Sequence, residues 1–175
     1  AEKRICWIEF TVEGKQVHAS KPGLGSNACR AANELSCALD SALHKAFPDE
    51  DKIFDPSVST FEPTRRNANV PNVNTVPGRE VFCFDCRVLP NIPLEEVLKV
   101  VDAEIRKIRE RRNVGVTYEF LQKEQAPAPT PTDSPVVRML REAIMDVYAF
   151  EPHVGGVGGG TCAKYFRDEG IPAVG

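Results

Sequence analysis

The sequence predicts an α+β fold: a four-stranded antiparallel sheet with both helices on one face, followed by a shorter C-terminal segment. Three observations predict it. Arg4 to Glu13 and Glu80 to Leu89 alternate with a period of two, as strands of a half-buried sheet do. Ala28 to about Phe47 and Leu94 to Ile108 repeat apolar residues at helical spacing. With Ser57 to Thr64 and Val114 to Leu121 as further strands, the order is strand-helix-strand-strand-helix-strand (βαββαβ). Ala126 to Asp133, with proline at every second position, then reads as an extended linker and boundary.

In the first strand Cys6, Ile8, Phe10 and Val12 face one way, and Trp7, Glu9, Thr11 and Glu13 the other. Gly14-Lys15 reads as a tight turn, Gln16-Val17-His18 as the start of a return strand, and 19–25 as loop. Ser26-Asn27 is N-cap chemistry. The helix after it carries Ala28, Ala31, Ala32, Leu35, Ala38, Leu39, Ala42 and Leu43 as its apolar stripe, small enough for close packing. Pro48 to Asp51 ends that helix, and Arg65 to Asn72 is an Asn-rich loop. A Pro77-Gly78 turn and Pro90 bracket the central strand. Phe82, Phe84, Cys86 and Val88 point to the core, while Val81, Cys83, Asp85 and Arg87 point outward.

Pro93, Glu95 and Glu96 suit the first turn of the second helix, whose stripe is Leu94, Val97, Leu98, Val101, Ile105 and Ile108. The basic run Arg106, Lys107, Arg109, Arg111 and Arg112 reads as its solvated end, complementing the dipole. The last strand puts Val116, Tyr118 and Phe120 inward. Ser134-Pro135 then opens a third helix with the stripe Val136, Leu140, Ala143, Ile144 and Val147. A glycine run leads into a short helix ending near Glu169, and Gly170 to Gly175 reads as a buried strand just beginning.

Composition excludes several classes. Of 175 residues, 42% are hydrophobic and 27% charged, with a formal charge of -3, so no basic field argues for nucleic acid. The sheet also lacks the paired exposed aromatics of an RNA-binding face. No apolar run approaches the ~20 residues of a membrane span, and no signal peptide is apparent. Six cysteines without a spaced framework point to a reducing cytoplasm. The chain starts without Met and stops on an apolar run, so the expectation is a piece of a larger protein.

Chemistry could sit in three places. Asp85 and Arg87 share the outer sheet face, as a ligand site or as a cross-strand ion pair. Val154 to Thr161 is glycine-rich before a helix start, which suits either an anion or a flexible connector. His18 lies in a loop just past the first turn, where, taken alone, a histidine is more often an ordinary surface residue; His44 reads as a dipole partner near a helix end. Cys83 and Cys86 have the spacing of a metal pair, but three residues apart on a strand they face opposite ways. No His, Asp or Glu set has metal spacing, and no nucleophile elbow is present.

Three motifs, taken together, carry a resemblance. They are Gly14-Lys15-Gln16-Val17-His18-Ala19-Ser20-Lys21-Pro22 with Gly25-Ser26-Asn27-Ala28; Asn74-Thr75-Val76-Pro77 with Asp85-Cys86-Arg87-Val88-Leu89-Pro90; and Gly158-Gly159-Gly160-Thr161 with Gly170-Ile171-Pro172-Ala173-Val174. In this order they resemble the aminoacylase, acetylornithine deacetylase and succinyl-diaminopimelate desuccinylase family of dinuclear-zinc metallohydrolases. The resemblance implies a ferredoxin-like lid and dimerisation domain over 1–126, then an incomplete α/β catalytic segment over 127–175. It implies a homodimer and a carboxylate-bearing N-acyl amino acid or peptide substrate. Two zinc (or cobalt) ions would belong to the full-length parent, with no metal ligand in this chain, so the chain alone is expected to be inactive.

By the same resemblance His18 is the lid histidine that reaches the partner's active site and helps stabilise an oxyanion. Asn74 and Arg87 bind the substrate's carboxylate end, and Gly159, Gly160 and Thr161 supply donors from the catalytic side. Many relatives carry Asp and Arg where this chain has Cys162 and Lys164, a difference that bears on specificity. The rival expectation is a stand-alone ferredoxin-like module for ligand binding or pairing, without catalysis.

Overall fold

A computed structural model describes residues 1–175. In chain order the elements are β1 (Arg4–Glu13), β2 (Val17–His18), α1 (Ala28–Ala46), β3 (Thr60–Arg66), β4 (Thr75–Val76), β5 (Arg79–Val88), α2 (Leu94–Arg112), β6 (Gly115–Glu124), α3 (Pro135–Tyr148) and α4 (Ala163–Asp168). The main sheet is antiparallel in the order β3-β5-β1-β6. Each long helix returns the chain to a strand that is not its neighbour: β1 and β3 flank β5, while β5 and β6 flank β1. Two βαβ units therefore interleave, as the element order predicts.

Alternation places the core. Phe10, Phe82 and Phe84 are buried on the helix side, Phe10 stacked on Phe82 at 5.0 Å and edge-on to Phe84 at 6.0 Å. Ala28, Ala31 and Ala32 are fully buried, so the first turns of α1 lie close against neighbouring backbone. The Oδ1 of Asn27 accepts the Arg30 N–H at 3.0 Å and caps α1. His44, near the other end, hydrogen-bonds the Asp40 carbonyl at 2.8 Å and sits edge-on to Phe61.

Several expectations are corrected. Val17–His18 does not return along β1; it pairs with Thr75–Val76 as a separate ribbon, because Gly14 is turned to donate to the Gly78 carbonyl at 2.8 Å. The second strand of the sheet begins at Thr60 and runs through Arg65 and Arg66. Its Pro63 is tolerated because β3 is an edge. Phe120 lies beside Ile8 and Tyr118 but is 38% exposed, since nothing covers that margin of the sheet. The end of α2 is not merely solvated, for Arg111 and Arg112 both pair with Glu34 of α1.

Beyond the prolines, Val137 is the one buried side chain of α3, and Leu140 and Val147 of its apolar stripe are exposed. Gly170 to Gly175 is not a strand; Thr130 Oγ1 instead donates to the Ala173 carbonyl at 2.6 Å, and no neighbouring strand offers it a ladder. Part of the glycine run is tied down by backbone. The Gly156 N–H reaches the Ile53 carbonyl at 2.6 Å, and the Val157 N–H reaches the Ala1 carbonyl at 2.8 Å. No helix is long and apolar enough to cross a membrane.

Candidate functional site

The residues singled out by sequence fall into two groups, one at each end of β5. The first is built on the β2–β4 ribbon, where His18 pairs with Thr75 and the Ala19 N–H donates to the Asn74 carbonyl at 2.8 Å. A side chain at Gly78 would sit 2.8 Å from the Gln16 backbone nitrogen, so glycine lets the ribbon fold over the start of β5. His18 is exposed. Its Nδ1 accepts the Ser20 N–H at 3.1 Å and lies 2.8 Å from Ser20 Oγ. With Nδ1 held as an acceptor, the neutral ring carries its proton on Nε2. The Asn74 amide nitrogen is 3.4 Å from Nε2, and a half-turn of that amide presents its oxygen to the Nε2–H.

A buried carboxylate steadies this group from below. Glu80 accepts a hydrogen bond from the Asn69 amide at 2.5 Å and lies 3.6 Å from the Arg66 guanidinium. Asn69 belongs to the loop that delivers Asn74, so Glu80 holds that loop against the sheet.

The second group stands on the outer face at the far end of β5. Arg87 donates from Nε and Nη2 to Asp85 at 2.6 and 2.8 Å, and from Nη1 to the Gly158 carbonyl at 3.0 Å. The ion pair lies within one strand rather than across two. It raises the pKa of the Arg87 guanidinium, chiefly through the Asp85 hydrogen bonds. The guanidinium also lies over the Trp7 ring, 5.7 Å from its centroid. Three of the five guanidinium N–H groups are engaged, leaving two for a ligand.

The glycine run brings Gly158 to Arg87. Gly159 borders open space, while Gly160 packs beside Glu124 and Ile5. Thr161 does not offer its hydroxyl to the surface: Oγ1 is bonded to the buried Glu2, which also pairs with Arg167. A hollow of about 310 Å³ includes Gly160, Thr161, Cys162 and Lys164 in its wall. There Lys164 is paired with Glu124, which raises its pKa through that hydrogen bond, and Cys162 is exposed.

The structure thus brings His18 to Asn74 and Arg87 to the glycine run, and keeps the two groups apart. From Gly78 to Arg87 the strand covers about 30 Å at ~3.4 Å per residue. Ser20 and Trp7 were missed by the sequence reading. A His-x-Ser spacing in a loop signals the first, and the shared outward parity of Trp7, Asp85 and Arg87 the second. No three His, Cys, Asp or Glu side chains converge as a metal set. Cys83 faces Glu9 on the outer side, and Cys86 lies in the core.

An interleaved βαβ sheet with a histidine ribbon at one end and an arginine at the other defines a ferredoxin-like α+β domain. Residues 1–113 match the M20 peptidase dimerisation domain, and the chain belongs to that family. It is 39% identical over 97% of its length to an uncharacterised metallohydrolase of Methanococcus maripaludis, covering 44% of that protein. It is 28% identical over its whole length to aminoacylase-1A of Rattus norvegicus, covering 42% of it. The chain therefore spans less than half of these relatives. Among solved structures it resembles AtUAH in complex with glyoxylate (TM-score 0.75, 13% identity, 94% of this chain and 37% of that one). Aminopeptidase PepT of Bacillus cereus is alike in fold as well (TM-score 0.72, 17% identity, 98% and 42%).

Proposed function

We propose that residues 1–126 are the lid and dimerisation domain, and 127–175 part of the catalytic domain, of a zinc- or cobalt-dependent amidohydrolase. Its substrates are N-acyl amino acids or small peptides bearing a carboxylate. One observation carries the reading: the two polar groups are separated by the length of β5, too far apart to serve one small substrate within a protomer. A two-fold pairing through the lid resolves this by setting His18 and Asn74 of one protomer opposite Arg87 and the glycine run of its partner.

In that arrangement the two remaining N–H groups of Arg87 take the substrate carboxylate as charge-assisted bonds. The Nε2–H of His18 faces the scissile carbonyl and stabilises the oxyanion, with Asn74 orienting the ring. Gly159 and Gly160 supply backbone donors, and Thr161 contributes its hydroxyl when it exchanges Glu2 for substrate. When bound in the full-length parent, the metal ions would supply activation of the attacking water. The part of this chain is recognition and pairing, and the isolated chain is expected to be inactive.

Complementation in the intact hydrolase tests the reading. His18→Ala and Arg87→Ala should each abolish turnover. Random mixing of the two yields half heterodimers with one intact site each, and about a quarter of wild-type activity returns. A mixture as inactive as its parents overturns assembly across the dimer. The Asp85 carboxylate already on Arg87 favours the other reading, a pairing module without catalysis, in which neither substitution alters turnover.

A further inference from the structure

The positive end of a helix dipole is ordinarily met by an acidic side chain in the first turn, and α1 has none there. The end of α2 lies beside it instead and brings Arg111 and Arg112 to the residues that open α1. These two arginines occupy both oxygens of Glu34: Arg112 through Nε at 2.9 Å and through Nη2, and Arg111 through Nη2 at 2.9 Å. Arg30 stands one turn before Glu34, at the spacing that ordinarily forms an ion pair on a helix. With Glu34 taken by α2, Arg30 is exposed and its guanidinium has no partner. Three guanidinium groups therefore share one carboxylate, and they border a single hollow of about 180 Å³ together with Ser26 and Asn27. In the turn that opens α1, the Ala28 N–H goes to the Pro77 carbonyl and the Arg30 N–H to Asn27, while the Cys29 N–H has no acceptor. Every polar group offered to the hollow by these elements is a donor or a cation, save the Ser26 and Asn27 oxygens.

We propose that this hollow binds a tetrahedral oxyanion, either free phosphate or the phosphoryl end of a small molecule. Planar guanidinium forks arriving from two helices suit an ion whose oxygens point in several directions, and each fork gives charge-assisted bonds. The hollow is smaller than the ~300–1,000 Å³ of sites that enclose a larger organic ligand, and its wall has only Val76 to offer a ring or an acyl chain. Its far wall is Pro22 and Gly25, in the loop that follows His18 and Ser20, so an occupant braces that loop against both helices.

Calorimetric titration of the 175-residue chain with inorganic phosphate, against sodium chloride at equal ionic strength, tests the site. Phosphate at about ten times its dissociation constant should raise the melting midpoint by about 3–6 °C, and chloride should not. Arg30→Ala removes only an exposed, unpaired side chain. It should melt like wild type without phosphate and bind phosphate about tenfold or more weakly. Glycerol 3-phosphate distinguishes the two sources: affinity equal to that of phosphate assigns the site to a phosphoryl group, and loss of binding assigns it to the free ion. Absence of phosphate binding overturns the proposal, as does a midpoint raised equally by chloride. Phosphate binding that Arg30→Ala leaves unchanged overturns it too, because the ion then sits elsewhere.

Discussion

Replacing Asp85 with asparagine separates the internal ion pair of Arg87 from the grip on a carboxylate ligand proposed for it above. Asp85 accepts two charge-assisted bonds at 2.6 and 2.8 Å, and the two side chains are 28% and 24% exposed, so solvent screens the pair in part. Loss of such a pair costs about 1–2 kcal/mol. For a chain of this size each kcal/mol moves the midpoint by about 2–4 °C, so Asp85→Asn should melt roughly 3–6 °C lower. Ligand binding moves the other way. A carboxylate on the two free N–H groups would sit about 6 Å from Asp85, where the repulsion is about 1–3 kcal/mol at an effective dielectric of ~20–40. Removing it should tighten N-acetyl-leucine roughly tenfold. Thermal melts by circular dichroism and Trp7 titrations read the two effects on one sample. A variant that melts like wild type shows that the pair contributes nothing. One that binds more weakly shows that Asp85 aims the guanidinium rather than competing for it, which refutes the reasoning.

Other substitutions test the frame. Phe10→Ala removes a ring packed among Phe82, Phe84 and Tyr118 and should cost about 3–5 kcal/mol in urea unfolding, whereas Phe10→Leu should cost less than about 2; equal losses would mean that the cluster is loosely packed. Arg112 and Arg111 hold the Glu34 carboxyl below the usual glutamate range. A carboxyl lowered on folding contributes stability above its unfolded value, lost as pH falls through the lowered one. The urea midpoints of wild type and Glu34→Gln should therefore differ near pH ~6 and converge towards pH ~3, and parallel curves would exclude the linkage. Burial pushes the Cys6 thiol up to about 11 and raises Cys86 as well, so at pH ~8 iodoacetamide should modify the exposed Cys37 and Cys162 and spare both. Mass spectrometry showing early labelling of Cys86 would mean that β5 opens.

The two central strands, β1 and β5, and the two long helices were legible because each buries one face along its whole length, and alternation or helical spacing records that directly. Phe82, Phe84, Cys86 and Val88 are inward as their parity requires. The β2–β4 ribbon was not legible, since a two-residue ladder has no period and depends on Gly14 and Gly78 meeting in space. Parity also names a face without saying what covers it, which is why Phe120 and the stripe of α3 were expected to be buried and are exposed. In the candidate site, the neighbourhood of His18 and Asn74 follows from tertiary pairing, although the motifs named both residues. The bond between Thr161 and Glu2 links positions so distant in the chain that no local pattern announces it.

Both margins of the main sheet are irregular. β3 carries Pro63 and loses register before Arg66, and β6 slips at Leu121. An irregular margin can accept one complementary strand over a short smooth stretch but cannot template a second and a third in series. A chain that belongs to a dimerisation-domain family thus carries its own brake against fibrillar growth, and straightening either margin would release it.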